Sequence, residues 1–130
     1  MAALEVMRRY AAAAQRADWQ AAYGFFAEDV VAHVPSRSRL AGELRGRAAV
    51  IGYIEAARAK SRGADVQVEV VDTLASEERV MLIVRERFAR EAGDVEIRRA
   101  NVYTVRDGTI VEAWIFEADQ YAVDELVEAG

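Results

Sequence analysis

His33 is the only histidine in the chain, and imidazole is the side chain best suited to moving protons near neutral pH. It lies in Val30-Val31-Ala32-His33-Val34, a β-branched run in which successive side chains face opposite ways. Whether His33 or Val34 turns inward decides whether the imidazole can do chemistry, and a slip of one residue reverses the answer. A second proton carrier comes from the end of the chain. Glu96 to Val105 and Ile110 to Ala118 are alternating runs joined at Asp107-Gly108, the strongest short signal for a hairpin. If Arg106 pairs with Thr109, then Asn101 stands opposite Trp114, Tyr103 opposite Glu112 and Arg99 opposite Phe116. These six share one face, mixing aromatic walls with a few polar groups as small-molecule pockets do. On that register Glu112 is a buried carboxylate, either a base or the partner of an arginine. The other face carries Ala100, Val102, Val111, Ala113 and Ile115, with Arg98 near Glu117, and suits sheet-to-sheet contact between two copies.

Other chemistries lack their parts. There is no cysteine, hence no disulfide framework, thiolate metal site or cysteine nucleophile. One histidine without cysteines leaves a transition metal short of its usual ligands. No G-x-S-x-G elbow presents a serine, and Gly42 and Gly46 lack the spacing of a phosphate-binding loop. The net charge is −5 and Lys60 is the sole lysine. The tightest basic cluster, Arg37, Arg39, Arg45 and Arg47, lies beside Glu43 and reads as a solvated loop rather than a nucleic-acid face. No apolar run is long enough to span a membrane. Glu5, Arg8 and Arg9 interrupt the start where a signal peptide would be apolar, so the expected address is cytoplasmic.

These candidates must be positioned by a chain of 130 residues, 53% of them apolar, with Pro35 as the only proline. That length suits one domain, residues 1–130, with a sizeable core. Residues 3–17 read as a helix, with Leu4, Met7, Ala11 and Ala14 in one stripe and Val6, Tyr10 and Ala13 beside it. Asp18 is placed to cap a second helix whose face holds Trp19, Ala22, Tyr23 and Phe26. Val30 to Val34 is a strand ended by Pro35, and residues 35–46 form a loop. A third helix runs from Arg47 to about Ser61 with Val50, Ile51, Ile54 and Ala57 inward, and Gly63 follows its end. The period then changes to two. Strands are expected over 66–70, 80–85, 96–105 and 110–118, followed by a short helix capped by Asp119. Helix, helix, strand, helix and four antiparallel strands describe an α+β fold. Its curved antiparallel sheet wraps over three helices and leaves a conical cavity between the layers.

Several segments resemble the SnoaL-like and ketosteroid-isomerase branch of the nuclear transport factor 2-like superfamily. Met7-Arg8-Arg9-Tyr10 with Ala17-Asp18-Trp19 resembles its opening helix and Asp-Trp junction. Ala27-Glu28-Asp29-Val30-Val31 resembles the entry to its first strand. The stretch from His33-Val34-Pro35 to Gly42 is similar to its His-x-Pro-Gly loop, with Ser36 and Arg39 where glycine and proline are usual. Arg106-Asp107-Gly108-Thr109-Ile110 with Trp114 resembles its closing hairpin. The fold hosts isomerases, cyclases, epoxide hydrolases and inert binders, so the likeness speaks first to architecture.

In ketosteroid isomerases a carboxylate removes a proton next to a carbonyl while a tyrosine and a protonated aspartate hydrogen-bond the oxyanion. The resemblance puts Tyr10 at the tyrosine position and Asn101 at the aspartate position, where its N–H donates without any pKa shift. Val34 stands where the base should be, leaving His33 or Glu112 to move the proton. Trp19, Tyr53, Trp114 and Phe116 would shape the pocket, with Arg99 and Tyr103 beside them. The implied activity is proton abstraction leading to isomerisation or aldol-type cyclisation of a hydrophobic, polyketide- or steroid-like carbonyl compound. It needs no cofactor, and a homodimer through the sheet is expected. Three alternatives stay open: a non-catalytic binder of hydrophobic ligands, for which Val34 speaks directly; an interaction protein like the transport factor; and an epoxide hydrolase of the limonene type. The last needs an Asp-Arg-Asp network; Arg85, Arg87 and Arg99 offer the arginine, but no pair of cavity aspartates is evident.

Overall fold

A computed structural model describes residues 1–35 and 42–128, and of Val127 and Glu128 only the backbone. Arg37 and Arg39 of the basic cluster, with most of the expected His-x-Pro-Gly loop, lie outside the described residues. Helix α1 spans Ala3–Gln15 and helix α2 Trp19–Tyr23. The Asp18 carboxylate accepts from the Ala21 amide at 3.3 Å, capping α2 as the sequence suggests. Strand β1, Phe26–Val34, begins earlier than its β-branched run, so Phe26 belongs to the sheet and not to α2. A short strand β2, Gly42–Arg45, occupies part of the expected loop, and α3 follows over Arg47–Arg58. Strands β3 (Gln67–Ala75), β4 (Arg79–Phe88), β5 (Val95–Arg106) and β6 (Thr109–Glu117) complete the sheet, and α4 covers Gln120–Glu128.

The six strands run in the order β2-β1-β6-β5-β4-β3. The sheet is not wholly antiparallel, because β1 pairs with β6 in parallel. A crossover through α3 and four further strands separates them in sequence, which is how a parallel pair is reached. Helix α1 packs on β3, β4 and β5, and α3 on β1 and β2. Both therefore cover the same face, and the core lies between, around Met7, Val30, Val80 and Ile110. Among the described residues no helix is long and apolar enough to cross a membrane.

The β5–β6 turn has Asp107 at φ 50 and Gly108 at φ 78. Two left-handed residues in succession are what a two-residue hairpin turn of right-handed twist requires. Arg106 pairs with Thr109 and Val105 with Ile110, but Thr104 pairs with Glu112, so Val111 is an extra residue. This bulge reverses the alternation along the rest of β6. Asn101 faces Ile115, Tyr103 faces Ala113 and Arg99 faces Glu117. Ala113 and Ile115 thus turn toward the helices, while Glu112, Trp114 and Phe116 turn to the outer face. The expected face combining Asn101, Trp114, Glu112 and Phe116 is replaced, because the uninterrupted pairing it assumed fails at one residue.

Candidate functional site

Three inward positions of β5 form the floor of a cavity of about 100 Å³ between the sheet and the helices: Arg99, Asn101 and Tyr103. Tyr10 of α1 comes down on the same floor, its ring 5.7 Å from that of Tyr103 and 5.6 Å from Phe26. The opening helix places Tyr10 there because it shares a buried stripe with Val6, Ala13 and Ala14. Trp19, Tyr53 and Val34 also line the cavity. Apolar side chains of α1, α3, β3 and β4 supply most of the remaining wall.

The polar groups fall into two sets on either side of Asn101. At one end, the Asn101 amide donates to the Tyr103 hydroxyl at 3.3 Å. Burial pushes the Tyr103 phenol up to about 12, although the hydrogen bond from Asn101 pulls in the other direction. Tyr10 is held well above the ordinary phenol value by burial, with Tyr103 and the negative charge of Glu86 adding to it. Both phenols are therefore neutral O–H donors throughout the physiological range, as an oxyanion site needs.

At the other end, Arg99 Nη1 lies 3.1 Å from Glu86 Oε1 and Arg99 Nε lies 3.1 Å from Glu117 Oε1. Burial alone would lower the Arg99 pKa, but the two carboxylates reverse the effect and raise it, so the guanidinium is permanently charged. Burial raises the Glu117 carboxyl above its ordinary value, and Arg99 opposes the rise. Glu86 and Arg99 border the cavity, whereas Glu117 backs the arginine from β6. The backing leaves Glu86 sharing a cation rather than holding one alone. Tyr53, whose hydroxyl is also raised by burial against the pull of Arg99, stands over this end.

The rim carries a further polar cluster. Arg58 lies over the Trp19 ring at 4.7 Å and grips Asp65 through Nη2 at 2.8 Å and Nε at 3.3 Å. The Trp19 indole N–H donates to Asp65 at 3.1 Å. The Arg58 hydrogen bonds hold the Asp65 carboxyl below its ordinary range, although burial works against them.

Of the residues singled out by sequence, Tyr10, Trp19, Tyr53, Arg99, Asn101 and Tyr103 come together around the cavity. His33, Glu112, Trp114 and Phe116 do not border it. His33 pairs with Trp114 across β1 and β6, its ring stacked at 5.0 Å, and its Nε2 is 2.6 Å from Glu112 Oε2. This group sits half-buried on the outer face of the sheet, because Val34 and Ala32 take the inward positions of β1. The cavity carboxylate that sequence reasoning missed is Glu86. Its signal was parity: Val80, Leu82, Val84 and Glu86 all fall on one side of β4.

This architecture is that of a mixed α+β domain with a ligand-sized cavity under a curved open sheet. The SnoaL-like domain profile matches residues 7–113, and the chain belongs to that family. Among solved structures it resembles Bal32a, from a soil-derived mobile gene cassette, at 27% identity and a TM-score of 0.83, covering 95% of this chain and 94% of that one. TerC, co-crystallised with polyporic acid, is 18% identical with a TM-score of 0.79 over 96% and 97% of the two chains. Rv0760c from Mycobacterium tuberculosis, in complex with estradiol-17β-hemisuccinate, is 21% identical with a TM-score of 0.71 over 88% and 93%. Other similar structures are described as having a cystatin-like fold or as NTF2-like. Among curated proteins, none matches the chain.

Proposed function

We propose that the protein is an enzyme of proton transfer next to a carbonyl, acting on a hydrophobic small molecule bound in the cavity. The observation that carries this reading is the pairing of two neutral phenols with a carboxylate in one apolar chamber: Tyr10 and Tyr103 at one end of the floor, Glu86 at the other. Complexes of related folds with polyporic acid and with a steroid hemisuccinate agree with a small-molecule role.

The carbonyl oxygen accepts from the Tyr103 hydroxyl, which itself accepts from the Asn101 amide and from Tyr10. Glu86 takes the proton from the neighbouring carbon. The C–H electron pair becomes the C=C bond of an enolate, and its oxygen gains charge where the Tyr103 phenol donates, a contribution of several kcal/mol in a dry site. The proton then returns to another carbon, giving isomerisation, or the enolate carbon attacks a second carbonyl of the same molecule, giving cyclisation. No electron is gained or lost. Glu86 takes the base role expected of His33 or Glu112, because it alone of the three borders the cavity. The test is loss of deuterium from the α-carbon of labelled cyclohexenone, followed by proton NMR. Loss faster than buffer supports the reading, and a rate no faster than buffer rejects it.

The Glu86–Arg99–Glu117 arrangement favours one second reading, epoxide hydration, since two carboxylates about one guanidinium is the network that chemistry uses. Glu86 would take a proton from water as its oxygen attacks the ring carbon, and a phenol would protonate the opening oxygen. Diol formation from a small cyclic epoxide separates the two.

The outer sheet face supports a homodimer. Met81 pairs with Val102 and Val102 with Trp114, while Ile83 pairs with Ala100 and Ala100 with Phe116. These rows make a continuous apolar surface on which Phe116 is 52% exposed, and surfaces of that kind are commonly covered by a partner.

A further inference from the structure

The size and unfilled hydrogen-bonding capacity of the cavity narrow what it accepts. Its volume is about 100 Å³, smaller than the roughly 150 Å³ apolar cavity that takes up benzene and well below the range of about 300–1,000 Å³ for drug-sized ligands. The enclosed space holds about one ring, and a four-ring steroid would extend past it toward the mouth.

Two further observations define the polar requirement. Asn101 is only 6% exposed, and while its Nδ2 donates to Tyr103, its Oδ1 is buried with no partner among the described protein groups. A buried acceptor left unmade costs about 1–3 kcal/mol, which a donor on a ligand recovers. Asn101 stands midway along the floor, so that donor would sit between the phenols and the ion group. The second observation is charge. Two carboxylates, Glu86 on the cavity wall and Glu117 behind it, face the single guanidinium of Arg99. At the rim Arg58 is engaged by Asp65 and Glu55. Each arginine already faces two carboxylates, so although Arg99 Nε makes no hydrogen bond, an added carboxylate would meet unfavourable charge.

We infer that the substrate is a neutral, hydroxyl-bearing molecule of about one ring, whose O–H donates to Asn101 Oδ1. This rests on the reading of the cavity as the substrate site, and names its substrate class. The hydroxyl lies beside the reacting carbonyl, so the compound is a small hydroxy-ketone or enol rather than a polycycle.

The test is a set of ligands bound without turnover, read by calorimetry and by the fluorescence of Trp19. Phenol binds roughly three- to tenfold more tightly than anisole, the value of one neutral hydrogen bond. Benzoate binds at least about tenfold more weakly than phenol, and 2-naphthol is no better than phenol. In Asn101→Leu the ratio of phenol to anisole falls to about one. Should that variant not fold, the comparison on the wild-type protein decides alone. Equal binding of phenol and anisole, which is what water on Asn101 would give, overturns the inference. So does benzoate matching phenol, naphthol exceeding it, or no binding by any of the four. Because turnover is not involved, phenol selectivity without deuterium loss removes the proton-transfer reading only. Deuterium loss without phenol selectivity removes this one only.

Discussion

Arg99 Nη1 lies 3.1 Å from Glu86 Oε1, a diagonal contact between inward positions of neighbouring strands, since Arg99 itself is paired with Val84. The contact places a permanent cation beside the cavity carboxylate, and Glu117 holds that cation from the other side. The three side chains form one buried unit, so removing different members has different effects.

Arg99→Met leaves Glu86 and Glu117 facing each other without a counter-charge. A loss of about 3–5 kcal/mol is expected in urea unfolding at neutral pH. Adding Glu117→Gln to the same protein recovers part of the loss, because only one buried carboxylate then remains. A double variant as unstable as the single one would show that the unit is not what holds this end together.

The phenols predict an alkaline effect. Tyr103 titrates at about 12 in the folded chain against an ordinary 10.0. A raised acid is favoured in its neutral form by folding. Its contribution is complete below the ordinary value and disappears as pH rises from there through the folded value. Melting temperature should therefore fall through that interval, in step with the rise of tyrosinate absorbance. Tyr103→Phe flattens the fall; an unchanged profile would mean that Tyr103 is not held neutral by burial.

The outer face predicts assembly. Phe116→Lys adds a charge to the exposed apolar rows without touching the cavity. Light scattering should report a dimer for the wild-type protein and a monomer for the variant, with ligand binding retained. A wild-type monomer would remove the proposed interface.

How much of this was legible in sequence depended on which rule each element obeyed. The order of helices and strands followed from period, and the Asp107-Gly108 turn from local chemistry, so the hairpin was found with its turn in place. Strand β2 was not, because Gly42-Glu43-Leu44-Arg45 carries no alternation of its own and exists by pairing with β1. The site was half legible. Tyr10, Asn101 and Tyr103 lie before the bulge and needed only helix and strand period. Trp114 and Phe116 lie beyond Val111, and one unpaired residue moves both to the other face. Nothing in Ile110-Val111-Glu112 marks a bulge, as there is no glycine or proline. Deleting Val111 tests the point: with the extra residue gone, Thr104 still pairs with Glu112 and Tyr103 with Ala113, so Glu112 and Trp114 stay outward and a cooperative thermal transition is retained. Loss of that transition would show that Val111 does more than set the register.

The central claim is that the chemistry belongs to the helix-covered face of the sheet and to Glu86. The direct measurement is α-carbon deuterium loss from cyclohexenone by three proteins side by side: wild type, Glu86→Gln, and the double variant His33→Ala with Glu112→Gln. The account predicts a fall of about 10²–10⁴-fold for Glu86→Gln, the usual worth of a general base, and a rate within about twofold of wild type for the outer-face pair. The reverse pattern, with Glu86→Gln active and the outer-face variant dead, would contradict it.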